Sequence, residues 1–159
     1  MKKELIQEFS MRVTQASRSE LVVIMYEIIL SDLESAKEAF AAEDMAVYEK
    51  ELVHAGRFIS ELMASLDYQV GLSYQLMSLY IFVNRELTAA RIQKQPERLA
   101  NVAEVIEKLL DGYKKVSEED SSGPVMQNTQ QVYAGLTYGR GKLNEIYVNV
   151  NEAKRGFTA

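Results

Sequence analysis

The sequence predicts an all-α protein: an antiparallel four-helix bundle, preceded by a short N-terminal helix and followed by an irregular C-terminal extension. Only two prolines, Pro96 and Pro124, and two glycines before residue 112 interrupt the chain, so long helices are permitted. Apolar residues recur at alternating spacings of three and four, which is typical of a bundle seam. The breaks between these stretches are short, and short connections favour antiparallel neighbours.

The first element is a short helix suggested by Leu5, Ile6 and Phe9. A helix of this length is marginal in isolation, so we expect residues 1–16 to dock on the rest of the molecule. Ser17 and Glu20 then have the spacing of a capping box and start the first long helix, over about 18–43. The predicted bundle occupies residues 17–117.

The first long helix carries more apolar surface than a bundle helix needs. Nine of the ten residues from Leu21 to Leu30 are apolar, so almost three turns are apolar on all sides. The third long helix, over about 70–94, repeats the excess, because seven of the eight residues from Leu76 to Val83 are apolar. Both helices must therefore be covered on more than one side.

The second and fourth long helices have ordinary single stripes. A helix over about 44–66 is predicted by the seam Met45, Tyr48, Leu52, Ala55, Ile59, Leu62 and Leu66. Pro96 stops the third helix and occupies the favoured first turn of the fourth, over about 96–116. The fourth seam consists of Leu99, Val102, Ile106, Leu109, Tyr113 and Val116.

Residues 118–159 are predicted to form a linker and an extension. The linker is polar and acidic and ends at Gly123 and Pro124. The extension that follows mixes glycines with Tyr147, Val148 and Phe157, a pattern that is neither a clean linker nor a clean helix. We expect it to order only against a surface, either on its own chain or on a neighbouring one.

Composition limits the function classes. With 159 residues, 47% of them hydrophobic, the chain suits one domain with a sizeable core. There is no Cys, so disulfides and thiol chemistry are excluded, and a reducing compartment such as the cytoplasm is expected. The formal charge of −5 argues against nucleic acid, and apolar runs of about ten residues are too short for membrane insertion. A protein partner remains.

One motif resembles a catalytic or metal site. Glu51 and His54 have the Glu-x-x-His spacing of helical di-iron proteins, but those sites need the motif twice and His54 is the sole histidine. We interpret His54 as a surface residue flanking the seam. Acidic residues such as Glu34 and Glu38 fall on polar helix faces. We therefore expect no enzyme activity, no metal and no cofactor.

The surplus apolar faces allow several interpretations. The two overloaded helices could be the central pair of an irregular bundle, or they could form a homodimer. They could also form a groove for helices of a partner, for which Met25, Tyr26, Met77 and Tyr80 are suited, because Met repacks and Tyr tolerates exposure. The residue pattern alone leaves these alternatives open.

Several segments resemble the FliS family of flagellar secretion chaperones. Val13–Ser17 followed by Glu20–Glu27 is similar to the opening signature of that family. Ile59–Asp67 resembles the end of its Ser-Leu-Asp helix, and Leu79–Leu87 resembles its Leu-Tyr-Asp-Tyr-Met-x-Arg-x-Leu helix. Gln95–Pro96 resembles the start of its final helix. The likeness covers roughly residues 9–116 in order, which is more specific than any one motif.

This resemblance implies a cytoplasmic export chaperone. Such a protein binds the C-terminal helical region of flagellin, prevents its premature polymerisation and delivers it to the flagellar type III export apparatus, whose gate components are possible further partners. In the family an N-terminal segment occupies part of the client surface when no client is bound. The alternative is a non-catalytic helical dimerisation or interaction protein without a flagellin client.

The apolar surplus and the resemblance together predict the binding residues. The predicted client-binding residues are Leu21, Val22, Met25, Tyr26 and Ile29 on the first long helix and Met77, Tyr80, Ile81 and Asn84 on the third. About half of them must also hold the bundle together. The predicted lid consists of Phe9, Met11 and Val13. We expect the C-terminal extension to compete with the client for this surface.

Overall fold

The computed structural model describes residues 3–126, and this part of the chain is all-helical without any strand. Its helices are α1 (Lys3–Gln15), α2 (Arg18–Ala41), α3 (Met45–Ala64), α4 (Leu72–Gln93) and α5 (Leu99–Glu119), with a single 3-10 turn at Pro96–Arg98 before α5. The predicted fold class is confirmed. The N-terminal helix is longer than expected, at 13 residues.

Helices α2 to α5 form the bundle. Helix α2 packs beside α3 and α5, and α4 packs beside the same two helices on the other side. Each bundle helix contributes fully buried residues to one common core, for example Ile29, Ile59, Val83 and Ile106. The short connections make consecutive helices antiparallel, so α2 and α4 begin at the same end of the bundle where α3 and α5 finish.

Local signals explain most helix boundaries. The Ser17 hydroxyl accepts a hydrogen bond from the Glu20 N–H at 3.3 Å, as the capping-box pattern predicts. Asp44 caps α3 in the same way, accepting from the Val47 N–H at 3.1 Å. Helix α4 ends at Gln93, and the residue that caps it, Lys94, has a left-handed φ of 54° that reverses the chain just before Pro96.

The end of the bundle differs from the sequence prediction by a few residues. Helix α5 continues to Glu119, so the acidic residues expected to start the linker form its last turn. Within residues 3–126, none of the helices combines the length and the hydrophobicity that a membrane-spanning segment requires. The predicted C-terminal extension lies outside the described residues, which end at Met126.

Candidate protein-binding groove

Helix α1 covers the second apolar face of α2. Phe9 is buried with Ile24 and Ile28 in a cluster separate from the main core. The half-buried side chains that pack against this cluster are Leu5, Val13, Leu21 and Phe58. The apolar surplus of the first long helix is therefore divided between the bundle core and the N-terminal helix.

The attachment of α1 is light for a helix of its length. Phe9 and Thr14 are its only buried residues. An ion pair from the Arg12 guanidinium to the Glu27 carboxylate adds to the contact, and the Lys114 ammonium on α5 lies 3.7 Å from the same carboxylate. Because these charges are partly exposed, the ion pairs contribute about 1 kcal/mol or less each. Most of the attachment energy must come from burial of Phe9 and its apolar neighbours.

An open apolar groove lies at the end of the bundle where α2 and α4 begin. Its volume is about 770 Å³. The apolar lining residues from the three neighbouring helices are Leu21, Val22 and Met25 of α2, Leu62 of α3, and Leu72 and Leu76 of α4. The groove therefore has walls of several helices and is open to a partner from outside the bundle.

The α3–α4 connection adds exposed apolar side chains beside the groove. Tyr68, Val70, Leu72 and Tyr74 are 47%, 53%, 54% and 63% exposed, and the Tyr68 and Tyr74 rings lie 5.4 Å apart. We define these four residues as the loop patch. Contiguous apolar surface of this kind marks interaction sites on monomeric proteins. The loop patch is not among the binding residues predicted from the sequence, although four large apolar residues at a helix connection are a visible signal.

A pair of buried tyrosines lies beneath the groove, and one of the two, Tyr80, lines it. The hydroxyl groups of Tyr26 on α2 and Tyr80 on α4 hydrogen-bond each other across the bundle, and the Tyr113 ring of α5 meets Tyr26 edge-on at 5.5 Å. Burial raises the pKa of both Tyr26 and Tyr80, the latter to about 12. Both phenols are therefore neutral at pH 7, and each satisfies the other's polar atom.

The segment after α5 follows the groove rim. The Ser19 hydroxyl donates to the Asp120 carboxylate, and the Val125 N–H donates to the Ala16 carbonyl at 3.1 Å. Hydrogen bonds from Ser122 and Ser19 hold the pKa of Asp120 below its usual range. Asp120 and Val125 both line the groove. The chain is therefore fixed at the rim where the described residues end.

The structure divides the nine predicted client-binding residues into three groups. Leu21, Val22 and Met25 are half-buried and line the groove. Three others, Tyr26, Ile29 and Tyr80, are almost fully buried in the core, with Tyr80 reaching the groove floor. The remaining three, Met77, Ile81 and Asn84, are not part of the groove lining.

The last of these groups lies along α4. Met77 is half-buried, whereas Ile81 is 51% exposed. Asn84 lines a second, shallower cleft of about 300 Å³ between α3 and α4. The structure therefore does not bring all nine predicted residues to one surface. Met77, Ile81 and Asn84 share one face of α4, at spacings of four and three, and this face is rotated by about 100° from the α4 face that lines the groove.

The predicted lid residues also differ from one another. Phe9 is buried and Val13 is half-buried against the α2 cluster. Met11, in contrast, is 61% exposed, because it lies on the opposite face of α1 from Phe9. Only two of the three predicted lid residues are therefore in a position to shield apolar surface of α2.

His54 is not the simple surface histidine that the sequence suggested. Its Nδ1 lies 2.7 Å from Oδ2 of Asp32, which is fully buried on α2. Burial raises the pKa of the Asp32 carboxyl to about 7; the His54 interaction opposes the shift and Glu51 reinforces it. Within residues 3–126, no group of three possible ligand side chains is arranged to hold a metal ion. Asp32, Glu51 and His54 form a polar contact between α2 and α3 in which the two acids are buried and His54 is 40% exposed.

Comparison with known proteins identifies the family. The family profile described as Flagellar protein FliS matches residues 1–120. The chain belongs to the FliS family. It is 26% identical over 108 residues to the Flagellar secretion chaperone FliS of Bacillus subtilis (strain 168), an alignment that covers 68% of this chain and 81% of the relative. Membership of the FliS family supports a flagellar secretion chaperone as its functional class.

Proposed function

We propose that this protein is a bacterial cytosolic export chaperone that binds the C-terminal region of flagellin in the groove. The single observation that carries the proposal is the groove itself: an apolar surface open to solvent, in a chain of the FliS family. The groove residues Leu21, Val22 and Met25 are the first contacts we assign to the client.

The shape of the groove suits an amphipathic helix. Helix-in-groove recognition uses apolar anchors at positions i, i+3, i+4 and i+7, which span about two helical turns. The groove volume of about 770 Å³ accommodates several such side chains. Met25 on the wall repacks around side chains of different shapes, and the loop patch extends the apolar surface beyond the groove.

A longer client needs more surface than the groove provides, and α1 is the element that could make room for it. Displacing α1 would expose Ile24 and Ile28, which are continuous along α2 with Leu21 in the groove. Undocking Phe9 costs about 2–3 kcal/mol of apolar burial. An apolar client segment in the same position would restore that burial, so the exchange of α1 for the client is close to balanced.

The proposed activity is non-catalytic. A disordered flagellin end would fold as it binds, losing chain entropy and gaining apolar contacts, which gives a complex that is specific but releasable. While bound, those apolar residues could not contact other flagellin subunits, and polymerisation would be prevented. Release at the flagellar type III export apparatus, with export-gate components as further partners, completes the proposed role.

Calorimetry with the C-terminal peptide of the host's flagellin tests the proposal. We expect one-to-one binding to the wild-type protein and at least tenfold weaker binding to Val22→Asp and Met25→Asp, because each introduces a charge into the groove. Ile92→Asp is the matched control. Ile92 is 68% exposed and 20 residues along α4 from Leu72, about 30 Å away.

Two results would contradict the proposal. Equal weakening by Ile92→Asp would show that the effect is unspecific. Absence of peptide binding, together with a dimer in sedimentation that Val22→Asp dissociates, would instead establish the alternative of a helical dimerisation protein. The exposed loop patch is the feature that makes this alternative worth measuring.

A further inference from the structure

The groove end of the bundle differs from the α1 face of α2 in one respect. Helix α1 covers Ile24 and Ile28, but nothing within residues 3–126 covers Val70, Leu72 or the open side of the groove. Exposed apolar surface next to a groove is costly in water and favours self-association. An occupant that covers this site while the client is absent would remove that cost.

The chain itself leads from the rim of this groove into 33 further residues, 127–159. Asp120 and Val125 line the groove, and the hydrogen bonds from Ser19 to Asp120 and from Val125 to Ala16 fix the direction of the backbone there. Each further residue adds at most about 3.3–3.6 Å of length. A few residues are therefore enough for the chain to return over the groove.

The composition of these 33 residues complements the groove. Their large apolar residues include Val132, Tyr133, Leu136, Leu143, Ile146 and Tyr147. They hold four basic residues and two acidic ones, a net charge of +2, whereas residues 1–126 hold 14 basic and 21 acidic ones, a net charge of −7. Opposite net charges favour association of the segment with the body of its own chain.

We infer that the segment 127–159 of the same chain occupies the groove when no client is bound and competes with the client for it. This inference rests on the proposed function, because it assigns a regulator to the same site. The covalent connection gives the segment an effective concentration of about 1 mM. Even a weak intrinsic dissociation constant of about 0.1 mM would then weaken client binding about tenfold.

Spin labelling of the full-length chain tests the occupancy without any client. The sequence contains no Cys, so Asn144→Cys provides a single labelling site in the segment. We expect the label to broaden the NMR amide signals of Val22 and Leu72 in the groove and to leave Ile92, at the other end of α4, unchanged. Absence of broadening at Val22 and Leu72, or equal broadening at Ile92, would overturn the inference.

A mixed sample separates the same chain from a second copy as the occupant. One chain is isotope-labelled but carries no spin label, and the other carries the spin label alone. We expect no broadening of Val22 or Leu72 in this mixture. If the broadening equals that seen when one chain carries both the isotope label and the spin label, the segment enters the groove of another copy. That result overturns the inference as stated.

Competition is tested with two full-length variants of equal charge. Leu143→Asp with Tyr147→Asp removes apolar anchors, and Asn149→Asp with Asn151→Asp is the matched control. We expect about tenfold tighter flagellin-peptide binding in the first variant than in the second. Equal affinities would overturn the competition. If the spin label broadens the groove signals but no flagellin peptide binds, the proposed function fails and the occupancy stands.

Discussion

Helices α2 and α4 begin with the same excess of apolar residues, but the structure resolves it in different ways. On α2, the second face is covered by α1 through Phe9, Ile24 and Ile28. On α4, Leu79 and Ile81 of this excess remain 37% and 51% exposed, and no described element covers them. An apolar surplus in a sequence therefore indicates surface that needs a cover. On α2 that cover is another helix of the same chain, whereas on α4 nothing within residues 3–126 supplies it.

The two helices also treat buried acidic residues differently. On α4, Glu86 is paired with Arg98 at 3.1 Å and also accepts from the Asn101 side chain. On α2, Asp32 has the His54 contact at Oδ2 and lies next to Glu51, a second acid that raises its pKa further. The α4 carboxylate thus has a cation as its partner, whereas burial raises the pKa of the α2 carboxyl.

The largest expected effect is a difference in the free energy of unfolding between substitutions on the inner and on the outer face of α4. Tyr80→Asp places a charge where the side chain is 1% exposed and leaves the Tyr26 hydroxyl without its partner. We expect a loss of about 4 kcal/mol or more in the free energy of unfolding. Ile81→Asp, one residue further along, should change it by less than about 0.5 kcal/mol. Urea denaturation followed by circular dichroism measures both; similar losses would refute the assignment of these faces.

The next largest effect concerns the attachment of α1, the helix that covers α2. Phe9→Ala should undock α1 at a cost of about 3 kcal/mol, because the buried ring is the main apolar anchor of that helix. Met11→Ala, at a position 61% exposed, should have little effect. Hydrogen exchange is the suitable measurement: the amides of α1 should exchange faster in Phe9→Ala while those of α5 keep their protection. A loss of protection in both helices would mean that α1 is an integral part of the core.

The buried acid of α2 predicts a dependence of stability on pH. The pKa of Asp32 is raised to about 7 in the folded protein, so the folded state holds this proton more tightly than the unfolded state. The free energy of unfolding should therefore fall as the pH rises from about 4 to about 7, by about 2–4 kcal/mol from this group. Asp32→Asn should flatten this part of the curve in denaturant titrations. If Asp32→Asn keeps the wild-type dependence of stability on pH, that dependence arises from other groups.

The smallest expected effect is a difference in flagellin-peptide affinity between substitutions at the groove end of α4 and in its middle. Leu72→Ala should weaken flagellin-peptide binding about fivefold to tenfold, because Leu72 lines the groove and belongs to the loop patch. Ile81→Ala removes an equally exposed apolar side chain outside the groove and should change the affinity less than twofold. Calorimetry with one flagellin peptide compares the two. A larger loss at Ile81 would move the client surface to the middle of α4.

The sequence was sufficient for the helices and insufficient for what covers them. Three local signals located the bundle helices to within a few residues: apolar residues at alternating spacings of three and four, the capping residue Ser17, and Pro96 at the start of the last helix. Local signals are sufficient here because a helix boundary depends on residues close in sequence. The covering of Ile24 by Phe9 and the contact between His54 and Asp32 depend on how distant segments pack, which periodicity does not encode. Tyr26 and Ile29 show the same limit: an apolar run does not reveal which of its residues face the core.

The most direct test of the central claim is hydrogen exchange of the full-length protein with and without the C-terminal flagellin peptide. If the groove and the α1 face of α2 form the client surface, the peptide should slow exchange at residues 68–76 and at the start of α2. It should also speed exchange in α1 as that helix is displaced. Protection confined to the cleft around Asn84, with α1 unchanged, would contradict the account.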